Sequence, residues 1–271
     1  MNNYLLEQDC IFAFNIWDIN SARSVMDAAA SIHKPVILQT SSGIYRKIYA
    51  QMFRQYISEY AAAKDIHVWL HLDHCKDVET ICDAVECGWD SVMLDASSCS
   101  LNENIALTQS VVELAHKNGV LVEAEVGQIK GTEDDILVTE DTIADIEEIR
   151  YFLQRVKPDM IAAAFGNAHG IYKGSPRLHF EIIEYLAEIS DIPFVVHGGS
   201  GLNHKILKKL IQKKNVKKIN ISTEVKMAYQ KAVFLCMEQG ILETDRFQPI
   251  SVEEKIHDAI LLMAKNKMEL L

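Results

Sequence analysis

The chain sets an acid beside an imidazole at the end of an apolar run, His67-Val68-Trp69-Leu70-His71-Leu72-Asp73-His74. Val68, Leu70 and Leu72 alternate with larger or polar residues as in a buried strand, and Asp73-His74 follow where that strand should end. Such a pair can supply a proton donor and a metal ligand together, provided other strands bring matching groups to the same mouth. Two more imidazoles follow later apolar runs: His169 in Asn167-Ala168-His169-Gly170, and His197 in His197-Gly198-Gly199-Ser200-Gly201. His74, His169 and His197 could together bind a divalent metal with a position left open for substrate, as in a catalytic zinc site. A lone histidine near a strand end is more often just hydrogen-bonded; the joint placement carries the metal reading. His67 and His71 are expected to pack or pair locally.

The run Gly198-Gly199-Ser200-Gly201 and the run Asn220-Ile221-Ser222-Thr223 leave backbone amides and hydroxyls at two strand ends. Both precede helices whose N-termini favour an anion, so a phosphate is the natural ligand. For the glycine run alone, a tight turn is an equally good account. Asp95 and Glu125 end two further apolar runs, so that six successive strands point ionisable or polar groups at one rim. Glu123 is expected on the opposite side of its strand from Glu125, among the helices.

The elements that must position these groups alternate along the chain. Strand candidates are Cys10 to Phe14, Val36 to Thr40, His67 to Leu72, Ser91 to Leu94, Leu121 to Ala124, Met160 to Ala164, Phe194 to Val196 and Lys217 to Ile219. Between them lie amphipathic helical stretches such as Ser21 to Ser31, Val78 to Glu86, Glu103 to Lys117 and Phe180 to Ile189. Eight such units and no glycine-rich dinucleotide fingerprint after the first strand favour a closed (β/α)₈ barrel over an open doubly wound sheet. At 271 residues with 49% hydrophobic content, the economical organisation is a single barrel domain over residues 1–271 with a helical extension at its C-terminal end. Gly127 to Val138 is the longest polar connection, and on an enzyme barrel such a segment is often a mobile active-site loop.

A net charge of −11 argues against a nucleic-acid or membrane-surface partner. The N-terminal MNNYLLEQDC lacks the pattern of a signal peptide, and no run approaches the roughly 18 apolar residues of a membrane span. A soluble cytoplasmic protein is expected. Its six cysteines form no CxxC pair and read as reduced thiols.

These residues carry a resemblance. The chain resembles the class II, metal-dependent ketose-bisphosphate aldolases, which include fructose-1,6- and tagatose-1,6-bisphosphate aldolases. The likeness runs through AFN at Ala13 to Asn15, HLDH at His71 to His74, SVMLDAS at Ser91 to Ser97 and VEAEVGQ at Val122 to Gln128. It continues through GNAHGIYKG at Gly166 to Gly174, HGGSG at His197 to Gly201 and INISTE at Ile219 to Glu224, the last closer to the tagatose type. The resemblance implies Asp73 as catalytic acid, and His74, His169 and His197 as ligands of a catalytic Zn²⁺. It also implies Asp95 and Glu125 as holders of a possible second divalent metal ion, and Glu133 as a loop glutamate that moves the substrate's carbon-bound proton. Gly170, Lys173, Gly198, Ser200, Asn220, Ser222 and Thr223 fall where the family binds dihydroxyacetone phosphate, with Gly199 and Ile221 inside the same runs. Asp95 and Glu125 could instead orient histidines, and Glu133 could be one of a solvated acidic face.

The implied reaction is reversible cleavage of a ketose phosphate to dihydroxyacetone phosphate and an aldehyde, with homodimers or homotetramers as the implied assembly. Where the family usually has a histidine and often a proline after Asp95-Ala96-Ser97, this chain has Ser98-Cys99-Ser100, and Ile16-Trp17-Asp18 also departs from the family pattern. Such changes bear on the aldehyde-side half of the substrate. Among other classes, an amidohydrolase would need an HxH pair at the first strand, which here ends in Ala13-Phe14-Asn15. A Schiff-base aldolase would place a lysine inside the barrel, whereas Lys173 sits in a loop and Lys217 opens the eighth strand. A non-catalytic phosphosugar-binding barrel is the remaining alternative; the presence of Asp73 and all three histidines favours turnover.

Overall fold

Short runs of β-branched and apolar residues, each buried on both faces, form eight parallel strands that close on themselves. The computed structural model describes residues 4–133, 136–138, 143–172, 174, 176–242 and 247–271, with the backbone alone at 4, 130, 132–133 and 136–138. In chain order the strands are β1 (Ile11–Asn15), β2 (Val36–Ser41), β3 (Val68–Cys75), β4 (Ser91–Leu94), β5 (Leu121–Val126), β6 (Lys130–Glu133) and β7 (Ile136–Val138). They continue with β8 (Met160–Ala163), β9 (Ala168–His169), β10 (Phe194–Val196) and β11 (Val216–Ile221). The barrel order is β1-β11-β10-β8-β5-β4-β3-β2, closed by the pairing of β2 with β1.

Helix α1 (Tyr4–Glu7) closes the barrel floor through Leu5, and the others cover the outside: α2 (Ile19–Ser31), α3 (Ser42–Tyr45), α4 (Ala50–Lys64), α5 (Val78–Glu86) and α6 (Leu101–Lys117). The rest are α7 (Ile146–Leu153), α8 (Phe180–Ile189), α9 (His204–Ile211), α10 (Thr223–Glu238) and α11 (Pro249–Met268). Local chemistry sets their starts. Asp18 accepts from Ser21 N at 2.7 Å while Ser21 Oγ returns to Asp18 N at 3.1 Å, and Ser100 with Glu103 repeats this box ahead of α6. The terminal helix α11 packs against α10 and α2.

The strand period of two sorts side chains into two layers. Phe12, Phe14, Leu38, Leu70 and Leu72 face outward into the core beneath the helices. Ile11, Ala13, Ile37, Trp69, Leu121, Met160, Ala162 and Val195 fill the lower barrel with Leu5 of α1. Above this apolar floor the inward positions turn polar: Gln39, His71, Asp73, Glu123, Glu125, Lys218 and Asn220 are all buried.

Three expectations are corrected here. Glu123 lies inside the barrel, fully buried, because residues two apart on a strand share a face and Glu125 points inward. Lys218 also lies inside, since it shares the inward face of β11 with Asn220, and its Nζ donates to Glu123 Oε2 at 2.8 Å. A lysine within the barrel therefore exists, but it is held as the cation of a buried ion pair. The segment Gly127 to Val138 is not a plain loop: β6 and β7 pair antiparallel within it, and β6 also pairs with β9.

Burying Glu123 and Lys218 is tolerable only as a pair. Lys218→Met should destabilise the fold by about 3–5 kcal/mol in urea unfolding, because Glu123 is left charged without its partner. Lys218→Met with Glu123→Gln should recover much of that loss; equal losses in both variants would show the pair to be energetically idle.

Candidate active site

Two functional residues in succession on β3 would point to opposite faces of a regular strand. Between Leu72 and Cys75, however, β3 advances three residues while β4 advances only from Val92 to Leu94. This bulge keeps Asp73 inward and turns His74 to the mouth beside it. His74 takes φ 45°, a left-handed conformation that costs a non-glycine residue about 1–2 kcal/mol.

The three histidines meet. Ring centroids are 5.0 Å apart for His74 and His169, 4.6 Å for His74 and His197, and 5.8 Å for His169 and His197. One nitrogen from each lies within 4.8 Å of the other two. A tetrahedral zinc with Zn–N of about 2.0–2.1 Å requires ligand nitrogens roughly 3.3 Å apart, a small adjustment from this arrangement.

The proton positions strengthen the fit. His197 Nε2 lies 2.7 Å from Glu123 Oε1. Burial raises the Glu123 carboxyl, but Lys218 and then the His197 hydrogen bond outweigh it and hold the group well below the usual carboxylate range. Glu123 is therefore an acceptor only, and the His197 proton sits on Nε2. His74 Nδ1 faces Asp95 Oδ2 at 3.4 Å. Burial likewise raises Asp95, and hydrogen bonds from His74 and Ser97 bring it below its ordinary value. With both protons assigned to the carboxylate sides, His197 Nδ1 and His74 Nε2 present lone pairs to each other at 2.7 Å. Only a shared cation or proton relieves that contact. Burial, with His74 next, also pushes the His197 imidazole below its ordinary value, which favours the neutral form a metal needs.

A second group, His74, Asp95 and Glu125, also brings its ligand atoms within 4.8 Å of one another. Glu125 Oε2 is buried without a hydrogen-bond partner. Burial, and then Asp95, raise the Glu125 carboxyl to about 8. Asp95 Oδ1 accepts from Ser97 N at 3.2 Å and Ser97 Oγ at 2.6 Å.

Asp73 is gripped from three neighbouring strands. Its Oδ2 accepts from Asn15 Nδ2 of β1 at 3.1 Å and Gln39 Nε2 of β2 at 2.9 Å, and its Oδ1 from Asn220 Nδ2 of β11 at 3.3 Å.

The glycine run after β10 packs backbone on backbone. A Cβ on Gly198 would lie 2.1 Å from Ala168 O, and one on Gly199 would lie 2.7 Å from Asn220 O. Ser200 Oγ accepts from Ser222 N at 3.2 Å and Glu224 N at 3.3 Å, which uses both lone pairs and leaves its O–H to donate. Gly201 N donates to Glu224 Oε1 at 2.7 Å, and Lys267 of α11 pairs with the same oxygen at 2.9 Å. Thr223 opens α10, whose N-terminus faces this turn. Ile221 differs: its side chain is fully buried in the outer core, so only its backbone belongs to the rim.

His169 comes from β9, outside the barrel proper, followed by Gly170 with φ 96°. Gly131 of β6 pairs with His169, and a Cβ there would lie 2.3 Å from His169 O. The hairpin carrying Glu133 thus docks on the backbone of a histidine of the cluster. The Glu133 side chain and Lys173 lie outside the described residues. His67 stacks on Trp69, a local contact, whereas His71 is buried inside the barrel with Nδ1 2.8 Å from Ser91 Oγ of β4 and Nε2 3.5 Å from Glu123 Oε2.

Several residues of this site had no role assigned from sequence. Glu123 carried a signal in its spacing from Glu125, and Gln39 carried one as a lone polar residue in an apolar run. Asn167 bridges Phe165 N and His197 O, at 2.9 and 3.0 Å. Tyr172 accepts from Ala168 N at 3.0 Å and donates to Gly198 O at 2.9 Å, tying the His169 segment to the glycine run; nothing in its periodicity marks it.

Comparison with known proteins accords with this geometry. Residues 6–271 match the family model described as "Fructose-bisphosphate aldolase class-II". The chain is 37% identical over 225 residues to the "Probable fructose-bisphosphate aldolase" of Bacillus subtilis (strain 168), covering 81% of this chain and 78% of that one. It is 33% identical over 230 residues to the "Sulfofructosephosphate aldolase" of Alkalicoccus urumqiensis, covering 84% and 80%. The crystal structure of the YdjI aldolase from Escherichia coli K12 superposes with a TM-score of 0.82 at 28% identity, over 99% of this chain and 93% of that one. With the match spanning nearly the whole chain, the protein belongs to the class II fructose-bisphosphate aldolase family and is an aldolase, a lyase that cleaves ketose phosphates.

Proposed function

We propose that the chain cleaves fructose-1,6- or tagatose-1,6-bisphosphate reversibly between C3 and C4, giving dihydroxyacetone phosphate and glyceraldehyde 3-phosphate. The observation that carries this reading is the place of Asp73, a buried carboxylate held from three strands beside three converging imidazoles. The relative named for sulfofructose phosphate supports a wider form of the reading, in which the far end of the ketose varies.

His74, His169 and His197 would hold Zn²⁺, which when bound polarises the substrate carbonyl and stabilises the negative charge that bond cleavage leaves beside it. Asp73 takes the C4 hydroxyl proton in cleavage and returns it to the aldehyde oxygen in condensation. Asn15, Gln39 and Asn220 fix the carboxylate so that little reorganisation accompanies the transfer. Glu133 exchanges the proton on the dihydroxyacetone phosphate carbon that becomes C3. Gly170, Lys173, Gly198, Gly199, Ser200, Asn220, Ser222 and Thr223 bind the phosphate-bearing half, and Ile221 contributes through its backbone. Asp95 orients His74, and Glu125 Oε2, buried with no hydrogen bond and 3.9 Å from His74 Nδ1, supports a second divalent ion in the group formed with Asp95.

Within the described residues no helix is long and apolar enough to cross a membrane. A cytoplasmic enzyme without nucleic-acid or membrane partners belongs to the same reading. So does a homodimer or homotetramer, supported by the exposed Phe234, Leu235 and Met237 of α10 with Ile250 and Leu262 of α11.

A panel of ketose phosphates, assayed through dihydroxyacetone phosphate release by the zinc-loaded protein, tests the function; cleavage of none, with that triose phosphate still bound, decides for a binding module. Asp73→Ala should keep its zinc and lose cleavage by roughly 10²-fold or more, and unchanged turnover removes Asp73 from the mechanism. His197→Ala should lose zinc; equal metal content in wild type and variant refutes the ligand assignment. Sedimentation should give two or four chains per particle, and a monomer at working concentrations ends the oligomer reading.

A further inference from the structure

Helix α10 begins without a side-chain cap of its own, since Ser222 at the N-cap position makes no cap hydrogen bond. Its first backbone amides are met instead by the glycine run, where Ser200 Oγ accepts from Ser222 N at 3.2 Å and Glu224 N at 3.3 Å. Glu224 returns the contact, its Oε1 accepting from Gly201 N at 2.7 Å. The two runs that follow β10 and β11 are therefore locked together at residue 224, through its backbone and its side chain alike.

This lock works against anion binding. A carboxylate in the first turn of α10 suits the helix dipole. It also sets a negative charge on the neighbour of Ser200, two residues from Ser222, where a phosphate dianion must approach. Lys267 answers that charge. It lies in the last turn of α11, its side chain is 8% exposed, and its Nζ sits 2.9 Å from the Glu224 oxygen that holds Gly201. A lysine is seldom buried to this degree unless it is paired. The pair borders a cleft of about 840 Å³ between α10 and α11, whose other ionisable lining residues among those described, Lys231 and His204, are exposed.

We infer that Lys267 is a positioning residue for the phosphate-bearing half of the substrate, acting through Glu224. It cancels the Glu224 charge and fixes the carboxylate on Gly201, so that the Ser200 hydroxyl and the neighbouring amides stay set for an anion with no net negative group beside them. The inference rests on the reading that the glycine run binds the phosphate, and it extends that site to a helix packed behind the run.

The test is calorimetric titration of zinc-loaded protein with dihydroxyacetone phosphate and no aldehyde, which reads binding apart from turnover. Lys267→Met should weaken binding by about tenfold. Glu224→Gln, which keeps an oxygen for Gly201 N and loses the charge, should tighten it. The double variant should return to within about threefold of wild type, as for two groups that act as one pair. Opposite signs in the two single variants are the signature of charge, whereas loss of packing alone would weaken binding in all three. Unchanged affinity in Lys267→Met, or equal weakening in that variant and the double, overturns the inference. Should Lys267→Met fail to fold, weaker binding by Glu224→Gln than by wild type overturns it equally. Solvent exchange of the dihydroxyacetone phosphate proton, followed by NMR, gives a second readout: KM should rise in Lys267→Met with kcat within about twofold of wild type. A fall in kcat at constant KM counts against the inference. Wild-type protein that binds no dihydroxyacetone phosphate removes the phosphate reading itself, whereas wild-type binding that neither substitution alters removes only the role of Lys267.

Discussion

Two imidazole nitrogens, His74 Nε2 and His197 Nδ1, face each other at 2.7 Å with their protons drawn to the far sides of both rings. The rest of the mouth exists to hold that arrangement. Asp95 draws one proton and Glu123 the other, so each ring turns its basic edge inward. Neither carboxylate would stay ionised at such depth without help: Glu123 has Lys218, and Asp95 has Ser97. The pull on the protons is thus set one layer below and beside the imidazoles.

The barrel interior is graded along its axis. Its floor, from Ile11 to Val195, is apolar and supplies burial, while polar side chains appear only in the upper layers. This division lets the strands satisfy the hydrophobic demand of a closed sheet and still present charge at one end. The Glu123–Lys218 pair sits between the two regimes. Fully buried, it is bonded directly to His197 and so couples the packing of the barrel to the imidazoles above it.

Much of this was legible in the sequence. Every barrel strand falls within a few residues of its predicted run, because β-branched clusters separated by amphipathic stretches admit few other folds. The convergence of His74, His169 and His197 was legible too, since each follows one of the apolar runs read from the sequence. What failed was the reading of faces. Glu123 was set among the helices although it shares parity with Glu125, and Lys217 was considered where Lys218 is the inward residue. The bulge that lets Asp73 and His74 both reach the mouth has no local signature such as glycine, so a regular alternation would have parted them. The pairing of β6 with β9 is a contact between segments far apart in the chain, which local periodicity does not encode.

The left-handed backbone at His74 bears on any attempt to retune the metal preference of the proposed site. Among the described non-glycine residues only His33, Asp65 and His74 have positive φ, so His169 and His197 sit on ordinary backbone. Exchanging the proposed ligand at 169 meets no such backbone constraint, whereas exchange at 197 also removes the hydrogen-bond partner of the buried Glu123. Exchanging it at 74 also asks the newcomer to tolerate an unfavourable conformation, which asparagine does readily and β-branched or bulky side chains do not. Softer or harder donors introduced to favour a different ion are therefore better tried on β9 than on β3 or at the end of β10.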